Sequence, residues 1–385
     1  MRVGLAPASA LLLCLAMILP DEAETARPES GVFVYAGTHQ LGGESRGIYA
    51  WLFYPRSGTV RAMGLAAEIT NPFVLATGST GSRLYVGTNR DGHTEDELVS
   101  LAVDLANGRL RILNSVRSRG VSACHLATDT SGRRLIAVNY RSGNVAAFDL
   151  RADGSIGGLA GVARHEGSSL NPDRQEAPHP HGVVFSPDNR YALVADLGLD
   201  QIRIYHISTA DGQMQAGDPA FASVPRGAGP RHLVFAHDGR HVFVVNELQS
   251  SVTAFSWNPA RGTLVRGETI SVLPSGFEGT SAAAEIALSP DGRFLYVSNR
   301  GADNLAVFSV DALTGSLKLA GHVASGGREP WSFAISPDGS SIFVANKLSD
   351  SVVVFRLDPA TGLPKATGVS LRIPSPVCVT VVDAR

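Results

Sequence analysis

The sequence predicts an all-β fold, a seven-bladed β-propeller whose blades are four-stranded antiparallel sheets. Three observations predict it. An apolar hexamer with a polar end recurs seven times, at intervals of about fifty residues, and a tight turn precedes most copies. Repeats of short strands with this period are typical of propeller blades. The C-terminal run also supplies the strand that the first hexamer lacks.

Each hexamer is predicted to be the second strand of a blade. A second apolar run follows it, as at 351–355, and then a turn such as 358–362. A third run precedes most hexamers and ends in a turn such as Asp291-Gly292, a strong hairpin signal between β-branched runs. No segment keeps a helical period over three turns. The hexamers begin at Val34, Leu84, Leu135, Ala192, Val242, Leu295 and Ile342.

The two ends of the chain are predicted to close the ring. The first hexamer has no run before it, and the final run at 376–381 has no later strands to pair with. The C-terminal strand would therefore complete the N-terminal blade. We expect one domain over 27–385, because a blade buries both of its faces only by stacking on its neighbours.

The first 26 residues have the pattern of a secretory signal. Arg2 precedes an uncharged run, 3–20, with an apolar centre at 11–19, which is short for a membrane span. We expect residues 1–26 to be removed, at a point that the sequence leaves open, and the mature protein to be exported to the periplasm or the medium. An uncleaved membrane anchor is the alternative.

Composition excludes several other classes of function. The 385 residues include 33 Lys plus Arg and 35 Asp plus Glu, a formal charge of −2, so we expect no nucleic-acid partner. We also expect a monomer without stable membrane association after signal cleavage. Cys14 would leave with the signal. Cys124 and Cys378 fall on non-adjacent blades, beyond the reach of a disulfide, and are predicted to be buried free thiols.

Charged and imidazole side chains are predicted to gather at one mouth of the central channel. The strand before each hexamer lines the channel and runs antiparallel to the hexamer, so the start of one and the end of the other share a mouth. Residues needed only for the architecture should recur in every blade, whereas a cluster of single-copy residues indicates a functional site. A hydrated ion-pair network that fills the channel is the alternative. The single-copy residues are His125, His181, Arg231, His232, Glu247, Glu285 and Arg300.

Metal sites are two weaker alternatives at the same mouth. His179 and His181 flank a proline on one strand, but no other Cys or His pair matches them as zinc ligands would require. Glu285, with Asp196 and Asn139, offers oxygen ligands to Ca²⁺, yet the neighbouring arginines would repel a cation. The chain also has neither a nucleophile elbow nor a nicotinamide fingerprint. We therefore expect no metal and no cofactor.

Motifs at these positions carry a family resemblance. They are Val138-Asn139-Tyr140, Pro178-His179-Pro180-His181, Gly229-Pro230-Arg231-His232, Asn246-Glu247-Leu248 and Ser298-Asn299-Arg300-Gly301. Together they resemble the seven-bladed propeller lactonases of the 6-phosphogluconolactonase type, which are similar to fungal carboxy-cis,cis-muconate cyclase. The resemblance covers about residues 32–382. It implies that His181, Arg231, Glu247 and Arg300 are active-site residues.

One motif departs from the pattern of that family. The chain has Pro330-Trp331-Ser332 where such proteins usually carry Pro-Arg-Asn. The missing arginine removes a candidate contact to an anion, and an exported protein would not ordinarily meet a cytosolic sugar phosphate. The resemblance therefore implies lactone chemistry but leaves open whether the substrate is phosphorylated.

These observations predict an enzyme that hydrolyses a sugar-derived or carboxylated lactone without metal. Glu247 is predicted to be the general base, with His181 as base or proton shuttle. Arg231 and Arg300 are predicted to hold an anionic group or the developing oxyanion. Further substrate-binding residues are predicted to be His125, His232, Glu285, Asn139 and Asp196. Two alternatives stay open: a secreted surface-repeat propeller that binds without catalysis, and a lactone cyclase or isomerase.

Overall fold

The computed structural model describes residues 29–39, 46–90 and 93–385, together with residues 1 and 4. Apart from those two positions, the predicted signal segment, 1–26, lies outside the described residues. Within the described part of the chain, the only helical element is one 3₁₀ turn, Lys347–Ser349. The rest of the regular structure is β-strand, as predicted.

In the described ranges, twenty-eight strands form seven sheets of four. The first sheet contains β1 (Val32–Thr38), β2 (Gly47–Tyr54), β3 (Thr59–Glu68) and the last strand of the chain, β28 (Pro376–Asp383). The second and third sheets contain β4 (Pro72–Thr77), β5 (Arg83–Thr88), β6 (Glu97–Val103), β7 (Leu110–Arg117), β8 (Ala123–Thr128), β9 (Arg134–Asn139), β10 (Asn144–Leu150) and β11 (Ile156–Arg164). The fourth and fifth contain β12 (Pro180–Phe185), β13 (Tyr191–Asp196), β14 (Gln201–Ile207), β15 (Met214–Ser223), β16 (Pro230–Phe235), β17 (His241–Asn246), β18 (Ser251–Asn258) and β19 (Thr263–Ser271). The sixth and seventh contain β20 (Ala282–Leu288), β21 (Phe294–Arg300), β22 (Asn304–Val310), β23 (Leu317–Ala324), β24 (Pro330–Ile335), β25 (Ser341–Asn346), β26 (Ser351–Leu357) and β27 (Pro364–Arg372).

The ring closes where it was predicted to close. Strand β28 pairs antiparallel with β1, with Val34 opposite Val381, so both ends of the chain build one sheet. Side chains of the first and last blades also pack together. Phe53 of the first sheet lies edge-on against Phe343 of the seventh sheet, with ring centroids 5.2 Å apart. Strand β28 thus covers the edge of β1 that would otherwise be unpaired.

The first strands of the blades, β28, β4, β8, β12, β16, β20 and β24, contact one another in turn around the ring. Proline begins five of them, because the missing N–H group costs nothing at the first residue of a strand. Apolar side chains of the second and third strands fill the spaces between neighbouring blades. The inner ring of strands is therefore held rigidly by its surroundings, and it carries the polar cluster described below.

The two remaining cysteines are confirmed as buried free thiols. Cys124 lies on β8 and Cys378 on β28, and neither forms a disulfide. Burial raises the pKa of each thiol to about 12, so both are neutral fillers of the inner ring. No helix in the described residues is long and apolar enough to cross a membrane.

Candidate active site

A β-bulge near the start of the innermost strands determines which side chains meet at the centre. In β12, Pro180 pairs with Asp196 and Gly182 with Ala195, which leaves His181 without a partner across the sheet. The register of β16 shifts in the same way at Arg231, and that of β24 at Trp331. A bulge interrupts the alternation of side chains and re-aims them. Two successive residues of one strand can therefore serve the same site.

Three arginines from separate elements converge on the carboxylate of Glu247. Arg231 Nε lies 3.1 Å and Arg300 Nη2 2.9 Å from Glu247 Oε2. Arg174 Nη2 donates to the other oxygen, Oε1, at 2.6 Å. Only 4% of the Glu247 side chain is exposed. Because one arginine would neutralise a buried carboxylate, the site carries more positive charge than its own carboxylate requires.

The neighbouring arginines keep the carboxyl group of Glu247 ionised. Burial alone would raise the pKa of its carboxyl group, but Arg300 and Arg231 outweigh burial and hold that pKa well below the ordinary value. Burial and the nearby positive charge of Arg300 also lower the pKa of Arg231. A carboxylate with so low a pKa is a weak base, since it accepts a proton from water only at a large energetic cost.

His181 lies beside this ion cluster and is neutral. Burial, followed by the charge of Arg231, lowers the pKa of His181 well below 6.5. Its ring meets Tyr140 edge-on, with centroids 5.4 Å apart, and its Nδ1 lies 3.9 Å from Cys124 Sγ. The described residues offer its Nε2 no hydrogen-bond partner. A neutral imidazole with one free nitrogen can accept a proton, and its lowered pKa makes it a weaker base than a free imidazole.

A second polar group lies on the next inner strands. Glu285 Oε1 lies 2.8 Å from His232 Nδ1, and Ser332 Oγ donates to Glu285 Oε2 at 3.3 Å. The His232 ring lies 4.6 Å from that of His125 and 5.2 Å from that of His181, measured between centroids. Burial lowers the pKa of His125 to about 3 and that of His232 well below 6.5, whereas it raises the pKa of Glu285.

This group borders a cavity of about 90 Å³, enough for a few water molecules. Successive residues of one strand line it together, as the bulges allow: Arg231 with His232, and Trp331 with Ser332. His125, His232 and Glu285 therefore face a small cavity enclosed by the innermost strands. Arg231 contacts both this space and Glu247, and so connects the two polar groups.

Trp331 occupies the position at which the family resemblance led us to expect arginine. Its ring lies 4.6 Å from Arg300 Cζ and 4.1 Å from Lys347 Nζ. Phe73 meets it edge-on, with centroids 6.3 Å apart. Cations over an indole ring are attracted by its negative face. The tryptophan thus supports Arg300 and adds an aromatic wall to a site that is otherwise charged.

Comparison with known proteins decides the family. The family described as "Lactonase, 7-bladed beta-propeller" matches residues 33–381. The chain belongs to the seven-bladed β-propeller lactonases. A 6-phosphogluconolactonase of Bacillus subtilis strain 168 is 34% identical over 300 residues, which cover 78% of this chain and 83% of the relative. A periplasmic gluconolactonase of Pseudomonas aeruginosa has a structure with 35% identity and a TM-score of 0.87, covering 92% of this chain and 100% of that one.

Most of the residues predicted from sequence lie together in this lactonase propeller. His181, Arg231, Glu247 and Arg300 form one group, and His125, His232 and Glu285 form the adjoining one. They come from consecutive blades, as the repeat register predicted. Their contacts with a substrate, and the position of the site at a channel mouth, stay predictions.

Two predicted substrate-binding residues, Asn139 and Asp196, have partners within the protein. Asn139 is fully buried and donates to the carbonyl oxygen of Ser118 at 3.1 Å. Asp196 Oδ2 lies 2.5 Å from His165 Nδ1, and Asp196 Oδ1 accepts from the N–H of His179 at 2.8 Å. Both side chains fasten the loops at the ends of β9 and β13. Asp196 uses both of its oxygens there, whereas Asn139 Oδ1 has no hydrogen-bond partner among the described residues, and substrate binding by either residue stays a prediction.

His179, one of the two histidines of the zinc alternative, has partners within the protein. His179 Nδ1 lies 3.1 Å from the carbonyl oxygen of Tyr140, and its Nε2 lies 3.0 Å from Glu176 Oε1. Its ring also stacks on that of Tyr140, with centroids 4.4 Å apart. Within the part of the chain that the structure describes, no group of three or more His, Cys, Asp or Glu residues is arranged to hold a metal ion.

Sequence reasoning missed Arg174. It lies on the irregular segment 165–179 between β11 and β12, outside the repeated strands that we aligned. A signal was present: the interval from β9 to β13 is the longest between successive second strands, so this blade carries extra chain. Tyr140 and Lys347 directly follow strand-end asparagines, and position alone would have placed both at the site.

Proposed function

We propose that this protein hydrolyses a sugar-derived or carboxylated lactone without a metal ion, with His181 as the general base. The observation that carries the proposal is the surplus of guanidinium groups around one buried carboxylate, directly beside a neutral imidazole. Ester hydrolysis needs these two functions together: a base for water, and positive donors for the oxyanion that forms on the carbonyl oxygen.

The reaction would proceed in two steps. His181 Nε2 takes a proton from water while the water oxygen attacks the lactone carbonyl, and Arg231 and Arg300 stabilise the oxyanion. The tetrahedral intermediate then collapses, the ring C–O bond breaks, and the protonated His181 returns the proton to the leaving alkoxide. Water is consumed and a hydroxy acid is released, so atoms and protons balance.

Glu247 is reassigned in this scheme from general base to positioning residue. Its low pKa makes it a poor proton acceptor, but its charge holds Arg231 and Arg300 in place through contacts of 3.1 and 2.9 Å. Arginines that are fixed before the substrate arrives need no reorganisation when the oxyanion forms. We propose that His125, His232 and Glu285 bind the part of the substrate or the water that enters the cavity.

Two relatives support a sugar-derived lactone as the substrate. The Bacillus subtilis relative is a 6-phosphogluconolactonase and the Pseudomonas aeruginosa structure is a gluconolactonase. We propose a lactone of the gluconolactone type for this chain. Export is part of the proposal: it rests on the apolar segment at 11–19 and on the periplasmic location of the Pseudomonas protein. Cell fractionation with N-terminal sequencing of the mature protein tests it.

A lactone panel tests the proposed function. The mature protein would be assayed with glucono-1,5-lactone, its 6-phosphate and muconolactones, with EDTA present and absent. Hydrolysis that EDTA leaves unchanged is the expected result. Failure to open any lactone would contradict the proposal, and loss of activity in EDTA would contradict its metal-free mechanism. Formation of lactones from muconates at a higher rate than hydrolysis would instead support the cyclase.

A further inference from the structure

We propose that Arg174 is a specificity residue that leaves Glu247 when substrate arrives and binds a negatively charged substituent remote from the lactone carbonyl. The inference rests on the proposed lactonase function and deepens it. It assigns a role to a side chain that lies outside the repeated strands, and it names the chemistry of the ligand: a carboxylate or a phosphate.

Arg174 differs from the other two arginines in how it is held. Arg231 Nη1 also donates to the carbonyl oxygen of Ala284 at 2.8 Å, and Arg300 Nε donates to that of Ala282 at 3.2 Å. Arg300 is also stacked on Trp331. Among the residues that the structure describes, Arg174 has no backbone acceptor, and beyond Glu247 it reaches only the Tyr140 hydroxyl, at 3.5 Å. Two arginines are therefore anchored, and the third is held by side chains alone.

The three arginines also differ in how much of each side chain is exposed to solvent. About 40% of the Arg174 side chain is exposed, against 3% for Arg231 and 11% for Arg300. A half-exposed guanidinium can turn toward a ligand without opening the core. Its departure leaves Glu247 paired with two buried cations, and a substrate hydroxyl or a water molecule can donate to the vacated Oε1.

The backbone beneath Arg174 is fixed, so only its side chain needs to move. The neighbouring Gln175 is fully buried, and its amide donates to the carbonyl oxygen of Leu197 and to Asp200 Oδ1, both at 2.8 Å. Ser169 of the same segment donates to Asp200 Oδ2 at 2.5 Å. Anchored on both sides, the segment presents one long cationic side chain to the site. Arginine binds carboxylate and phosphate oxygens with two parallel hydrogen bonds, which suits this role.

The test compares two lactones that differ only in a remote charge. Wild-type protein and R174Q would be assayed on glucono-1,5-lactone and on its 6-phosphate, with R190Q as the control. Arg190 has a similarly exposed side chain and lies in the hairpin at the far end of the same blade, 3.9 Å from its nearest carboxylate. In R174Q we expect kcat/KM to fall at least about tenfold more on the charged lactone than on the neutral one, mainly through KM. R190Q should keep the wild-type ratio.

A loss that is equal on both lactones would overturn the inference, because Arg174 would then act only through Glu247. No loss on the charged lactone would overturn it as well. A lactone that bears a carboxylate, assayed in parallel, distinguishes the two anionic groups. R174K, which keeps the charge but not the paired donors, should recover part of the preference.

A binding measurement keeps this inference separate from the proposed function. Titration calorimetry with 6-phosphogluconate and with gluconate requires no turnover. If the wild type opens no lactone yet binds 6-phosphogluconate more tightly than gluconate, and R174Q loses that difference, the lactonase proposal fails and the role of Arg174 stands. If lactones are hydrolysed but R174Q binds both acids as the wild type does, the role of Arg174 is wrong.

Discussion

Arg231 Nε lies 3.1 Å from Glu247 Oε2, and both side chains are almost completely buried. Burying two charges is stabilising only when their geometry and further contacts offset the loss of hydration. Here the same carboxylate also holds Arg300, and Arg231 gains the Ala284 carbonyl. The fold therefore positions two cations next to His181 before any substrate is present.

The first prediction concerns E247Q. Removing the carboxylate leaves Arg231 and Arg300 buried without a counter-ion, which we expect to lower the free energy of unfolding by about 3–5 kcal/mol. Catalysis should fall because the arginines lose their positions. Urea unfolding and kcat on gluconolactone measure the two effects.

The pH profile of E247Q distinguishes a positioning role from a base. If His181 is the base, the acid-side decline of the residual activity should move to lower pH, because loss of the negative charge of Glu247 disfavours protonation of His181. A decline in E247Q at the same pH as in the wild type would argue against His181 as the base. E97Q is the matched control: Glu97 also meets two arginines, Arg90 at 3.5 Å and Arg117 at 3.7 Å, but it is partly exposed. Its loss should cost about 1 kcal/mol or less.

The second prediction concerns H181Q. Loss of the proposed base should reduce kcat by a factor of about 10²–10⁴ and leave the fold intact, as checked by circular dichroism. Because the pKa of His181 lies well below 6.5, wild-type kcat/KM should stay constant from pH 8 to below pH 6.5. It should fall only when the pH approaches that lowered pKa and His181 becomes protonated. A profile that already falls between pH 8 and 7 would argue against this base.

The third prediction concerns Trp331. W331L removes the aromatic face over which Arg300 and Lys347 lie at 4.6 and 4.1 Å. We expect KM to rise several-fold, since a cation–π contact contributes about 0.5–2 kcal/mol, whereas W331F should retain most of the effect. Steady-state kinetics on gluconolactone measure it. Equal KM values in W331L and the wild type would show that the ring does not position Arg300.

The fold could be predicted from sequence because its determinants are local and repeated. Each blade depends on period-two alternation and on turns such as Asp291-Gly292, which are visible in a short window. Repetition then gave the number of blades, and the unmatched run at 376–381 gave the closure that pairs β28 with β1. None of these inferences required knowledge of how distant side chains pack.

The site was predicted only as far as the repeats extend. Register placed His181, Arg231 and Arg300 on neighbouring blades, but it carried no information about Arg174, whose segment, 165–179, is the longest of the connections from one described blade to the next. Register also could not give the chemical state of Glu247. Its assignment as a base assumed an ordinary pKa, and three guanidinium groups from different parts of the chain change that value.

The last prediction concerns stability at acid pH. His125, His181 and His232 have pKa values that burial lowers in the folded protein, to about 3 for His125. In the unfolded chain each has the ordinary value, near 6.5. Below about pH 6.5 the unfolded chain therefore binds protons that the folded protein does not. Above that pH the histidines do not lower the free energy of unfolding. As the pH decreases further, this free energy falls by up to about 1.4 kcal/mol per pH unit for each histidine.

Glu285 acts in the opposite direction over part of this range. Burial raises its pKa, so the folded protein binds a proton there at a pH at which the unfolded chain does not, and this offsets part of the loss. Urea unfolding between pH 7.5 and 5.0 should still show a falling free energy. In H125Q the slope of this decline should be smaller by about one bound proton. A decline in H125Q as steep as in the wild type would mean that His125 is already protonated in the folded protein.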